Sequence, residues 1–170
     1  MKVSSPIRTR RIGAVVAAAA AVAGIAVGAG PAGAATISPA GVPFTAPGTI
    51  TVTSPASFGA PVDCSITLSG TVAADGASAS ITSATTSGAS ALCNLPQVTG
   101  LPWTLTPTST TSGTVSNVGF TISGQSCGPA TLTGSFDNLT NTLSSTNQSL
   151  PGNCTINSLS VVPNPAFTLS

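Results

Sequence analysis

The chain has no histidine and no tyrosine, a single tryptophan, and a charged fraction of only 4%. Its basic residues are Lys2, Arg8, Arg10 and Arg11, so nothing cationic follows Arg11. Glutamate is absent, and the acidic side chains are Asp63, Asp75 and Asp137. Each absence excludes a class of function. Nucleic acid is held by cations that neutralise phosphate, so a nucleic-acid partner is excluded for everything beyond Arg11. A polybasic grip on anionic lipid falls for the same reason. A nucleophilic serine needs a base of near-neutral pKa, and neither histidine nor lysine is there to supply one. Gly124-Gln125-Ser126-Cys127-Gly128 fits the G-x-S-x-G nucleophile elbow in letters only, and Ser126 reads as part of a glycine turn beside a half-cystine. A thiolate metal site is disfavoured because no C-x-x-C occurs. Asp137, Asn138 and Asn141 offer oxygen ligands for calcium, but their spacing is not that of an EF-hand loop. No catalytic residue, metal or cofactor is expected.

What is present begins with a targeting pattern. Met1 to Arg11 is basic, Ile12 to Gly30 is an unbroken Ala/Val/Ile/Gly run, and Pro31-Ala32-Gly33-Ala34 supplies an A-x-A site. This is the order of a secretory signal peptide, with cleavage expected between Ala34 and Ala35. Residues 1–34 are therefore read as the signal and 35–170 as one exported domain, secreted or held at the envelope surface of a bacterium. That domain carries three negative side chains and no positive ones.

Serine and threonine dominate residues 35–170, as in a mucin-like stalk. Regular aliphatic spacing argues for a folded domain instead. Val62, Cys64, Ile66 and Leu68 share one parity; Trp103 and Leu105 alternate with Thr104 and Thr106; Val118, Phe120 and Ile122 do likewise. Such period-two patterns are strands with one dry face and one hydroxyl-rich face. Breaks are expected at Pro43, Pro55, Asp75-Gly76, Gly88, Gly100, Gly113, Gly128-Pro129, Pro151-Gly152 and Pro163. No sustained 3.6-residue period competes. The expected class is all-β, a single Ig-like or related β-sandwich.

Four cysteines, Cys64, Cys93, Cys127 and Cys154, are spread through the domain. An even count in an exported chain points to disulfides. A short internal echo helps with the pairing: Thr67-Leu68-Ser69-Gly70-Thr71-Val72 is similar to Thr131-Leu132-Thr133-Gly134-Ser135-Phe136. Each copy has a cysteine just before it and another about one hairpin later. The echo favours Cys64–Cys93 and Cys127–Cys154 over the two other pairings. Beside Cys93 lies A-L-C-N-L-P-Q-V-T-G-L-P-W-T-L-T, residues 91–106. Proline pushes Leu95 and Leu101 toward extended backbone, giving a kinked connection that enters a strand at Trp103. Trp103 reads first as core. The functional reading is an apolar contact platform made by Leu95, Leu101 and Trp103.

Those same residues, 91–106, resemble the secreted activators of alkane oxidation, the PraA/PraB family. Similarity continues through Gly48-Thr49-Ile50, Val72 to Ala79, Thr111 to Gly119 and Gly152-Asn153-Cys154-Thr155, so it spans roughly residues 36 to 167. The resemblance implies an extracellular, non-enzymatic protein that promotes growth on long-chain alkanes by helping the cell contact or disperse them. The expected partner is hydrocarbon or another apolar surface. The alternative is a structural subunit of an extracellular fibre or biofilm matrix. In that case a strand within Ala35 to Pro55 would be donated to a neighbouring copy rather than paired at home.

Overall fold

The computed structural model describes residues 34–170. The signal peptide expected over residues 1–34 lies, apart from Ala34, outside the described residues. The described chain is all-β. Its strands are β1 (Ile37–Ser38), β2 (Pro43–Thr53), β3 (Pro61–Val72), β4 (Ala79–Ser87), β5 (Gln97–Thr99), β6 (Trp103–Ser109), β7 (Ser112–Ile122), β8 (Gln125–Asp137), β9 (Thr142–Leu150), β10 (Cys154–Val161) and β11 (Thr168–Leu169). Two short 3₁₀ turns, Pro55–Ser57 and Ala91–Asn94, lie in connections.

The strands do not split into the expected sandwich. In the order β7-β6-β4-β3-β2-β10-β9-β8, each pairs antiparallel with the next, and β8 returns to β7. The result is a closed up-and-down barrel, with β5 as an extra strand on β7. Sandwich and barrel share the same inside–outside alternation. They differ in whether the first and last strands meet, as β2 and β10 do here from Gly48↔Val161 to Thr53↔Thr155. Closure removes most of the exposed edges that residues 34–170, which hold no lysine, could not protect with charge.

Curling the sheet requires close approach of backbones, and glycine marks two such places. A Cβ on Gly48 would lie 1.9 Å from the Ser160 carbonyl oxygen, and one on Gly70 2.0 Å from that of Ser80. The pairing of β3 with β4 shifts register between Ser69 and Gly70, as expected of a bulge that bends a strand. Two expected breaks are in fact strand interior. Gly113 lies in β7, and Gly128-Pro129 lies in β8. There the β7 ladder passes from Val118↔Ala130 to Phe120↔Cys127, so Gly128 and Pro129 sit in the irregular stretch where a missing N–H is tolerated. The turn expected at Asp75-Gly76 joins β3 to β4, and the chain turns from β8 to β9 after Asp137.

The inward residues form one core that runs through the barrel and includes Phe44, Ile66, Leu68, Ile81, Leu132 and Ile156. One end, the base, is plugged by β1 and the C-terminal segment. β1 pairs with β11 through Ile37↔Leu169, and Phe167 meets Phe44 edge-on with ring centroids 5.1 Å apart. The β8–β9 turn clamps this tail. Asn138 donates to the Leu169 carbonyl at 3.1 Å while its Oδ1 accepts from the Leu169 N–H at 2.8 Å. Asn141 accepts from the Phe167 N–H at 2.9 Å and donates to the Pro163 carbonyl at 2.6 Å. Each asparagine thereby does the work of one strand residue.

The segment considered as a donor strand is paired at home. β2 runs the full length of β3, from Pro43↔Thr71 to Thr53↔Pro61, and takes β10 on its other side.

Candidate functional site

At the end opposite the base, β2 leads into the Pro55–Ser57 turn, β4 into the Ala91–Asn94 turn, and β7 into β8. Both disulfides are here, Cys64–Cys93 and Cys127–Cys154, in the pairing favoured by the internal echo. The first ties the Ala91–Asn94 turn to β3, and the second ties the start of β8 to the start of β10.

Beneath this end the barrel interior is not filled. A cavity of about 90 Å³ is walled by inward residues that include Ile50, Ile66, Ile81, Val118 and Ile156. Ala84 contributes to its wall, and Leu92, Pro96 and Val98 reach it from the segment after β4. By comparison, the gap at the base among Ile37, Phe136, Phe167 and Leu169 is about 20 Å³. An eight-stranded barrel is at the size where side chains either just fill the lumen or leave room for one small ligand.

No charged side chain lines the cavity. Its polar contributors are Ser54, Ser57 and Thr86. Ser57 donates to the carbonyls of Ser54 and Ala60 at 2.9 and 2.6 Å, and Thr86 donates to the Cys93 carbonyl at 2.7 Å. Those hydroxyl protons are spent on the protein's own backbone. Of the three, only the Ser54 hydroxyl is left uncommitted, so a buried polar headgroup would meet at most one wall donor in place of its lost hydration.

Trp103 explains the kinked stretch noted in the sequence. Gln97↔Thr121 and Thr99↔Gly119 continue along β7 into Thr104↔Ser116, so β5 and β6 are two halves of one path interrupted at Gly100-Leu101-Pro102. The indole Nε1 donates to the Thr99 carbonyl at 2.9 Å, across that interruption. Its polar handle satisfied, the ring is 6% exposed and lines the cavity. Asn117, with a left-handed φ of 65°, donates to the Gly100 carbonyl and holds the kink against β7. Leu95 and Leu101 lie outside, 47% and 38% exposed. Thus the structure puts the three residues of the sequence platform on different sides of the wall: the indole inside, the leucines out.

Sequence reading missed the residues that roof the cavity. Leu92, Pro96 and Val98 sit in a stretch with no clean period, so alternation could not mark them as inward. Ala84 is too small to stand out. The signal that was available is the cysteine inside A-L-C-N-L-P, since a disulfide there fastens an otherwise irregular segment to the barrel.

Ser126 is exposed in β8, opposite Thr121, after the turn at Ser123-Gly124. A strand follows that turn where a nucleophile elbow needs a helix. The aspartates are scattered on the outside. Asp63 accepts from Thr51 Oγ1 at 2.6 Å, and Asp75 accepts from the Ala77 N–H at 3.0 Å. Asp137 accepts from the N–H groups of Leu139 and Thr140, which hold its carboxyl below the usual carboxylate range. Among the described residues no three His, Cys, Asp or Glu come together as a metal site.

No curated protein and no solved structure matches the chain. The family model described as alkane oxidation protein activator PraA/PraB-like matches residues 10–170. An apolar, chargeless lumen is thus found in a chain that belongs to the PraA/PraB-like family of alkane oxidation protein activators.

Proposed function

We propose that the protein is a secreted, non-enzymatic assistant to alkane oxidation that acts by taking hydrocarbon into contact with itself at the bacterial surface. The observation that carries this reading is the cavity of about 90 Å³ with apolar walls and no charge. Each methylene moved from water into such walls gains about 0.8 kcal/mol, so an alkane needs no polar anchor to bind. Family membership supplies the link to alkane oxidation. An uncharged lumen supports carriage or contact rather than chemistry, because activating an unreactive C–H bond requires a cofactor or strong electrophile. Phe58, 99% exposed in the loop after the Pro55–Ser57 turn, gives the cavity end an apolar tip suited to an oil–water boundary.

The fibre alternative would require β2 to leave a barrel in which both its edges are paired. The test is to equilibrate purified protein with a liquid n-alkane, separate the phases and measure hydrocarbon retained per protein. Saturable retention supports the reading. Retention no greater than in buffer, together with unchanged interfacial tension, contradicts it.

A further inference from the structure

Strand pairing lapses at two seams of the barrel wall. β8 pairs with β9 only from Ser135↔Ser144 to Asp137↔Thr142, but beyond that ladder the Thr133 N–H donates to Gln148 Oε1 at 2.9 Å and the Ser145 hydroxyl donates to the Thr133 carbonyl at 2.5 Å, so side chains bridge the gap. The other seam has no such bridge across it. β4 pairs with β6 only from Ala79↔Leu105 to Ile81↔Trp103. Above Ile81, β4 continues to Ser87 with β3 alone at its side. β5, across the seam, pairs only with β7. Between them no ladder closes the wall. The seam is covered by the Ala91–Asn94 turn, which two links tie to the barrel: the Cys64–Cys93 disulfide and the Thr86 hydroxyl bond to the Cys93 carbonyl at 2.7 Å. Leu92, Pro96 and Val98, at or beside this cover, are themselves cavity wall. Displacing the cover breaks no strand ladder except the short one of β5.

The cavity is also long for its volume. Val62, Cys64, Ile66 and Leu68 line it in succession along β3. That span is roughly 20 Å of strand, or about 15 Å along the barrel axis after strand tilt. A space of about 90 Å³ drawn out over that length is a channel whose shape suits an extended chain better than a compact ring system. Its walls offer a headgroup no more than the Ser54 hydroxyl.

We propose that this channel takes the end of one unbranched, saturated hydrocarbon chain, and that the chain enters through the seam between β4 and β5 past the disulfide-tethered Ala91–Asn94 turn. The inference rests on the hydrocarbon reading above and adds to it a place, a chain shape and a route. Any polar group on the ligand stays outside. A branched or cyclic hydrocarbon of equal carbon number fits that shape less well.

Trp103 lines the channel and is the only tryptophan, so its emission reports occupancy. The experiment adds a short n-alkane, or a cycloalkane of equal carbon number, to the purified full chain and follows that emission in time. The expected result is a saturable change with the n-alkane and a weaker one with the cycloalkane. Ala84→Phe, which fills the channel, should abolish it, and Val98→Phe serves the same purpose should the first variant not fold. Loosening the cover by Thr86→Val, or by Cys64→Ala with Cys93→Ala, should make the change several-fold faster. Retention of alkane with no tryptophan response, or a response unaffected by both filling variants, overturns the channel while leaving the broader function standing. Equal rates in tethered and loosened proteins overturn the route. Failure to retain any alkane removes the broader function as well.

Discussion

At the base, Phe44 and Phe167 pack ring edge to ring face, and two asparagines hold the tail by paired hydrogen bonds, with a gap of only about 20 Å³ left. At the opposite end, both disulfides staple the loops, yet about 90 Å³ stays unfilled below them. The base is held by packing and the upper end by covalent bonds. That division has a physical logic. Close packing and an empty channel are incompatible at one place, since wall atoms facing a void lose their dispersion partners. Cross-links stabilise mainly by restricting the unfolded chain, so they can hold an end together that packing does not.

The largest test of this contrast is deletion of an aromatic ring at each end. Phe167→Ala should cost about 3–5 kcal/mol in urea or thermal unfolding. Phe120→Ala, on the channel wall, should fall at or below the bottom of that range, because its ring has fewer partners to lose. Equal costs would break the comparison. Removing Cys127–Cys154 by double alanine substitution should cost roughly 3 kcal/mol on the chain-entropy model, read from the same unfolding curves. No covalent link exists at the base to compare with it, so reducing agent should shift stability through the upper end alone.

A subtler pair adds volume instead of removing it. Ala46→Leu, in the filled half of β2, should cost about 1–3 kcal/mol through overpacking. Ala84→Leu projects into the channel and should stay within about 1 kcal/mol of the parent or rise above it. The smallest effect concerns the base turn. Asp137 is held below its ordinary pKa by the Leu139 and Thr140 N–H groups. A depressed carboxylate contributes stability that is present above its unfolded pKa and lost as pH falls through the folded one. Acid titration below the ordinary carboxylate range should therefore loosen the β8–β9 turn, seen as faster amide exchange at Leu139 and Thr140. Asp137→Asn should remove that pH dependence.

Much of this molecule was legible in its letters, and the limits are instructive. Alternation at Val62 to Leu68 and Val118 to Ile122 announced strands because side chains on a pleated strand face opposite sides at every step. The echo around Thr67 and Thr131 led to the correct disulfides because its two copies lie in β3 and β8, each just after a half-cystine. Barrel closure was hidden, since it depends on Gly48 and Gly70 permitting close approach and on β2 meeting β10 about a hundred residues later in sequence. Gly113 and Gly128-Pro129 misled for a related reason: a glycine inside a curved strand and a glycine in a turn look alike without the neighbouring backbone. Trp103 was readable as core, but the emptiness beside it was not. A cavity is a property of what the surrounding residues fail to fill, and no single residue among them carries that signal.

The central claim, that hydrocarbon occupies the upper channel and not the base, is tested most directly by nuclear Overhauser contacts from a bound n-alkane. The account predicts contacts from alkane methylenes to the Trp103 indole and to the methyl groups of Ile81, Val98 and Val118, with none to Phe44 or Phe167. Contacts confined to surface groups such as Phe58 and Leu139, or an absence of contacts at saturating alkane, would contradict it.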